Sequence, residues 1–232
     1  LRLRAISSYY NDRCHFWVAE TRRRVRRSDS MNLRDVIPTA ENSSNFNVVP
    51  EAITEVGTTL ENLKAAVCGE TGASAKYAAC AVAAKEQGFD QIARLFKATS
   101  AAEQIHIGLE AGVIAEMEPG YERPAAPEAE GIATDLNLIA GALGEIYETS
   151  DMYPNFIKVA IDEGNKKAEM VFTRAKLAEA VHAELYMDAY NNIDAPTDEA
   201  YYLCPICGYI HKGDDFEKCP ICFTPADKFR KF

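Results

Sequence analysis

The chain has 232 residues, 47% of them hydrophobic and 26% charged, enough for one sizeable core and a small appended unit. Its formal net charge of -10 argues against general binding of nucleic acid or of an anionic membrane, so neither is expected as a partner. No run approaches the length of an apolar membrane span, and an odd total of seven cysteines argues against a complete disulfide framework.

Residues 1–30 carry eight arginines against three acids, a local charge of +5 that leaves -15 for the remainder. Three readings fit this segment. It is a targeting leader, or translated upstream sequence with Met31 as the true start, or a basic arm. The expected location is cytoplasmic, or an organelle if the leader is a transit peptide. Residues 31–50 contain Asn, Ser and Pro and read as linker, so residues 1–49 are set apart from the folded body.

From Pro50 the pattern turns helical, and Thr58 with Glu61 forms a capping-box motif. One helical stretch runs from about 58 to 87 and stops at Gly88; a second covers about 89–116. Residues 118–131 are rich in Pro and Glu, a connector too long for a tight hairpin and expected to cross the bundle. A third stretch covers about 132–163, and a fourth about 165–191. Four apolar-striped helices, each about 40 Å long, predict a mainly α chain with a four-helix bundle over residues 50–194.

The body repeats itself. Shifting residues 77–109 by 76 places them on 153–185 with eight identities in 33 pairs, including Tyr77/Tyr153, Gly88/Gly164, Glu103/Glu179 and His106/His182. Glu103-x-x-His106 and Glu179-x-x-His182 each set a carboxylate and an imidazole on one helical face. The other two helices are expected to supply carboxylates: Glu70 from the first, Glu145 and Glu148 from the third. Seven ionisable groups among Ala, Leu, Ile and Val are costly in a core unless they bind metal, and oxygen-rich ligation with two imidazoles suits iron or manganese. Glu70 precedes Tyr77 by seven residues, but Glu145 precedes Tyr153 by eight. A π-bulge in the third helix would absorb the extra residue. The hydroxyls of Tyr77 and Tyr153 are expected to hydrogen-bond ligand carboxylates.

The tail, residues 200–232, carries Cys204-x-x-Cys207 and Cys219-x-x-Cys222 with eleven residues between the pairs. Two such knuckles close a tetrahedral site of four sulfurs, for iron or for zinc. Cys68 and Cys80 read as small core residues.

Together these motifs resemble rubrerythrin. The resemblance rests on Gly69-Glu70-Thr71, both Glu-x-x-His pairs, Glu145-Ile-Tyr-Glu148, Asp151-Met-Tyr-Pro154 and the cysteine tail. It implies a ferritin-like four-helix bundle followed by a rubredoxin-like domain, with a non-haem di-iron centre and a mononuclear Fe(Cys)4 centre. The implied di-iron ligands are Glu70, Glu103, Glu145, Glu148, Glu179 and His182. His106 is the implied alternative ligand, which takes the place of Glu148 when the iron is reduced. The implied activity is reduction of hydrogen peroxide to water in oxidative-stress defence. Electrons would come from a donor protein, a rubredoxin or a reductase, and enter through the Fe(Cys)4 site. A homodimer or larger assembly is implied, in which the small domain of one chain faces the bundle of another. Ferroxidase activity with iron storage is the alternative that the bundle type supports.

Overall fold

The structure is a computed structural model, and it describes residues 54–232. The basic leader, the linker and Pro50 lie outside the described residues. Helix α1 spans Thr59–Glu86. Its start is fixed by the expected capping box: Thr58 Oγ1 accepts from the Glu61 amide, and Glu61 Oε2 accepts from the Thr58 amide at 2.9 Å. Helix α2 follows at Asp90–Met117 and packs antiparallel along α1.

Residues 118–133 then run the length of the bundle. They leave near the start of α1, where Lys64 pairs with Glu118 at 2.6 Å. They arrive at its far end, where Gln87 Oε1 accepts from the Thr134 amide at 2.9 Å. The expected crossover is therefore present, and it sets the next helix parallel to α2. Gly131 lies so close to α1 that a Cβ would meet the Ala79 carbonyl at 2.6 Å.

The third long helix is one rod of three parts: α3 (Thr134–Tyr147), a π-helical turn (Glu148–Met152) and α4 (Tyr153–Asp162). The π-turn falls where the extra residue between Glu145 and Tyr153 called for one. Helix α5, Lys166–Asn191, is capped by Asn165, whose side chain accepts from the Ala168 amide at 3.0 Å. The two hairpin turns use Gly88 and Gly164, both left-handed at φ 85° and 71°, which explains why the repeat keeps glycine at both.

The buried apolar residues form two clusters. One holds Tyr77, Phe96, Leu138 and Tyr186; the other holds Leu63, Tyr153, Phe156 and Phe172. Phe96 and Phe172 are repeat mates, packed at ring-centroid distances of 6.1 and 5.8 Å on the repeat-mate tyrosines Tyr77 and Tyr153. Each buried aromatic of this kind contributes about 1.5–3 kcal/mol, which helps offset a polar layer held between the clusters. That layer is formed by the two Glu-x-x-His pairs of the repeat together with Glu70 and Glu145.

The tail folds as a small antiparallel sheet of three strands in the order β2-β1-β3. The strands are β1 (Tyr201–Leu203), β2 (Ile210–Lys212) and β3 (Arg230–Lys231). Tyr201 pairs with Lys212, and Leu203 with both Ile210 and Arg230. The tail docks on the bundle beside α2 and α5, through Lys212–Asp188 at 2.7 Å and Arg94–Asp198 at 3.1 Å. No helix among the described residues is long and apolar enough to cross a membrane.

Candidate metal centres

Four helices deliver side chains to one buried layer. Glu70 comes from the middle of α1, Glu103 and His106 from α2, Glu145 from the end of α3, and Glu179 and His182 from α5. All six are completely buried. Two sets of potential ligand atoms form within this layer: Glu70, Glu103, His106 and Glu179, then Glu103, Glu145, Glu179 and His182. The sets share Glu103 and Glu179. They also exchange under the repeat, since Glu103 maps on Glu179 and His106 on His182. Two cations bridged by two carboxylates, each with one terminal glutamate and one imidazole, is the arrangement these sets describe.

The proton count favours cations there. His106 Nε2 lies 3.1 Å from the Cys207 carbonyl, and His182 Nε2 lies 2.9 Å from the Gly208 carbonyl. A ring nitrogen facing a carbonyl must carry hydrogen, which leaves Nδ1 of a neutral imidazole as a lone-pair donor. Both Nδ1 atoms face Glu179: His106 Nδ1 is 2.6 Å from Oε1, and His182 Nδ1 is 2.6 Å from Oε2. Yet both Glu179 oxygens and His182 Nδ1 lack a properly formed hydrogen bond, as do Glu70 Oε2, Glu103 Oε1 and Glu145 Oε2. Buried polar atoms that converge without bonding one another are what metal ligands look like once the metal is left out. The donor set fits a pair of iron ions.

The electrostatics without metal carry the same message. Burial pushes Glu70 up to about 7 and Glu145 up to about 8, with the Glu179 charge adding to both. Burial and the neighbouring Glu179, Glu145 and Glu70 raise Glu103 well above the carboxylate range. For the imidazoles, burial favours the neutral form, but the Glu179 carboxylate outweighs it and pushes each to about 10. Burial likewise opposes ionisation of Glu179, but His106 and His182 outweigh it and hold its carboxyl well below the usual range.

Glu148 stands apart. It is buried at the head of the π-turn, where desolvation and then Glu70 and Glu145 raise its carboxyl strongly, but it belongs to neither ligand set. The structure thus has His106 in the cluster and Glu148 beside it. The two tyrosines lie one layer out: Tyr77 donates to Glu145 Oε1 at 2.6 Å, and Tyr153 donates to Glu70 Oε1. Cys80 is a fully buried core residue with its thiol pushed up to about 11, and Cys68 is 7% exposed.

Sequence reasoning missed Glu110. It is fully buried on α2, and its Oε1 lies 3.0 Å from the Tyr153 hydroxyl. The signal was there in part, because Glu110 lies seven residues after Glu103 and four after His106, on the same helical face. It has no copy in the repeat, whose equivalent position is Tyr186.

The four tail cysteines form the second centre. Their sulfurs lie within 4.8 Å of one another; Cys204–Cys222 is 3.4 Å and Cys207–Cys219 is 3.5 Å. These gaps are far too long for disulfides and near the edge of a tetrahedron with metal–sulfur bonds of ~2.3 Å. The amides of Ile221 and Cys222 point at Cys219 Sγ at 3.4 Å, donors that favour a thiolate. The residue after each knuckle is left-handed: Gly208 at φ 79° and Phe223 at φ 62°. A Cβ on Gly208 would collide with the His106 ring, so the close approach of the two centres requires glycine there.

Comparison with known proteins agrees with this geometry. A family model described as rubrerythrin matches residues 61–190, and one described as the rubrerythrin rubredoxin-like domain matches residues 202–230. Nigerythrin of Nitratidesulfovibrio vulgaris is 65% identical over 202 residues, 87% of this chain and all of that one. Rubrerythrin-2 of Clostridium acetobutylicum is 33% identical over 179 residues, 75% of this chain and 96% of that one. The solved structure of fully reduced, all-ferrous nigerythrin superposes with a TM-score of 0.78 at 66% identity, covering 84% of this chain and 97% of that one.

Proposed function

The chain belongs to the rubrerythrin family, with a ferritin-like di-iron bundle and a rubredoxin-like Fe(Cys)4 domain, and from that premise we propose that it reduces hydrogen peroxide to water. The carrying observation is the contact of the two centres: the carbonyls of Cys207 and Gly208 accept from the imidazoles of His106 and His182. A storage bundle needs no redox domain on its ligand histidines; a turnover enzyme does.

Each part of the chain has a role in this reading. When bound, the di-iron pair supplies the two electrons that break the O–O bond, and the Fe(Cys)4 site replaces them one at a time. Glu103 and Glu179 hold the two ions together. Glu70 and Glu145 are terminal ligands, each fixed by a tyrosine hydroxyl. His106 and Glu148 would be the alternative ligands of one ion, and the structure, with His106 in the cluster and Glu148 beside it, has the arrangement that would suit a reduced pair, where a neutral imidazole would stand in place of a carboxylate. Of the four tail thiols Cys222 is the partly exposed one, next in sequence to the exposed Phe223, so a donor protein would deliver electrons there. They would leave through Cys207, whose carbonyl meets His106. The donor is a rubredoxin or a reductase, and the expected assembly is a homodimer or larger; the contacts to His106 and His182 are here made within one chain.

Anaerobic rapid mixing tests the reading. The diferrous protein is expected to oxidise faster with stoichiometric hydrogen peroxide than with dioxygen. Faster oxidation by dioxygen, with many irons then retained per chain, would favour the ferroxidase and storage function instead.

A further inference from the structure

Glu110 has no place among the ligands, yet it is completely buried beside them. Its carboxyl has one hydrogen-bond partner among the described residues, the Tyr153 hydroxyl at 3.0 Å, and its Oε2 has none. The same hydroxyl bonds Glu70 Oε1. A phenol carries a single hydrogen, so it cannot donate to two carboxylates at once. With Glu70 as a metal ligand and therefore ionised, Tyr153 gives its hydrogen to Glu70, and Glu110 can bond the phenol oxygen only as a carboxylic acid.

The repeat supplies an internal control. The mate of Tyr153 is Tyr77, which serves one carboxylate, Glu145, at 2.6 Å. The mate of Glu110 is Tyr186, whose hydroxyl is satisfied by Thr99 at 2.5 Å and whose ring packs at 5.4 Å on Tyr77. The fold therefore accepts an apolar-bodied residue at this position, and only one half of the bundle carries an acid there. The charged and titratable groups around Glu110 are Glu70 from α1, His106 from its own helix, Tyr153 from α4 and Glu179 from α5. Burial first, and then Glu70, keep its carboxyl well above the ordinary range against the opposing pull of His106.

We propose that Glu110 is a proton-relay residue, which passes a proton through the Tyr153 hydroxyl to Glu70 and so to the oxygen released when peroxide is cleaved. The inference rests on the peroxide-reducing reading above. Hydrogen peroxide takes up two electrons and two protons to give two waters as its O–O bond breaks. The electrons come from the di-iron pair, one from each ferrous ion. One proton leaves the Glu110 carboxyl for the Tyr153 oxygen while the tyrosine's own proton moves to Glu70 and on to a departing oxygen. The second proton comes from solvent. Glu110 is left as a carboxylate and is reprotonated between turnovers by the reverse transfer.

Infrared spectroscopy of the metal-loaded protein tests the position of the proton apart from turnover. Metal-bound carboxylates are ionised, and Glu148 is the other buried carboxyl outside the ligand sets, so the expected result is a carboxylic-acid carbonyl band, separate from any Glu148 band, that shifts in deuterium oxide and is lost in Glu110→Gln at unchanged iron content. In the same variant, oxidation of the diferrous form by peroxide should slow at least about tenfold and lose its solvent deuterium isotope effect. A set of acid bands that is the same in Glu110→Gln as in the native protein, or an unchanged rate and isotope effect, overturns the relay. Should Glu110→Gln fail to fold, Tyr153→Phe breaks the relay at its middle. It should keep the acid band at a shifted frequency and lose the isotope effect; an isotope effect that survives overturns the relay. A wild-type protein that has the band and the Glu110 dependence of it, but does not reduce peroxide, overturns the functional reading rather than the location of the proton.

Discussion

Glu179 meets both imidazoles, one through each oxygen, at 2.6 Å. Without metal the layer can hold together only by keeping protons: Glu70 and Glu145 stay protonated up to about 7 and about 8, and the two imidazoles up to about 10. In the unfolded chain the same groups lose protons at about 4.3 and about 6.5. The native state thus binds more protons than the unfolded state from about pH 5 to about pH 10, so stability falls as pH rises through that window. Glu179, shifted the opposite way, contributes fully above the ordinary carboxylate range and adds no slope there. The thermal midpoint of the metal-free protein is therefore expected to fall between about pH 5 and about pH 9, and that of the metal-loaded protein to stay level or rise. A metal-free midpoint that climbs over this range would contradict the assignment. At this scale the sequence was legible where chemistry was duplicated. Glu103, His106, Glu179 and His182 stood out because the pair recurs after 76 residues. Glu110 did not, because its repeat mate is Tyr186, and a single acid on a long helix looks like surface until its burial is known.

The π-turn is the element on which the layer depends. One extra residue between Glu145 and Tyr153 turns a helix by about 100°, and the wide turn absorbs it so that both side chains face the seam. The turn is held by its own side chains: Ser150 Oγ donates to the Ile146 carbonyl at 2.5 Å, and Thr149 Oγ1 to the Lys176 carbonyl on α5 at 2.9 Å. Deleting Ser150 should convert the turn to ordinary α-helix and swing either Glu145 or Tyr153 off the seam. Helical circular dichroism is expected to survive while bound iron drops in the bundle; full iron loading in the deletion would show the π-turn to be incidental. This element was legible from spacing, seven residues against eight, because it breaks a repeat. The start of α1 was legible from its capping box at Thr58, eight residues beyond the point where helical composition begins at Pro50. Composition marks a region, whereas a cap marks a residue.

Across the whole molecule, the proposed turnover would depend on how the tail sits on the bundle. The residues that bring them together are backbone carbonyls at Cys207 and Gly208, which no side-chain pattern could reveal. Gly208 is the sharpest test of that docking, because it is left-handed at φ 79° and a Cβ would strike His106. Gly208→Ala is expected to keep the Fe(Cys)4 colour and the di-iron content, cost about 1–2 kcal/mol in backbone strain, and slow electron transfer between the centres. Transfer at the wild-type rate would mean that electrons take another path.

The most direct test of peroxide reduction through the tail follows both centres at once. Fully reduced protein is mixed anaerobically with limiting hydrogen peroxide while the thiolate-to-ferric charge-transfer absorption of the tail is recorded. This absorption is expected to grow in after the di-iron site is oxidised, and to be lost at these times when Glu103 and Glu179 are replaced by alanine. A tail that stays reduced in the native protein, or that is oxidised just as fast without those two glutamates, would contradict it.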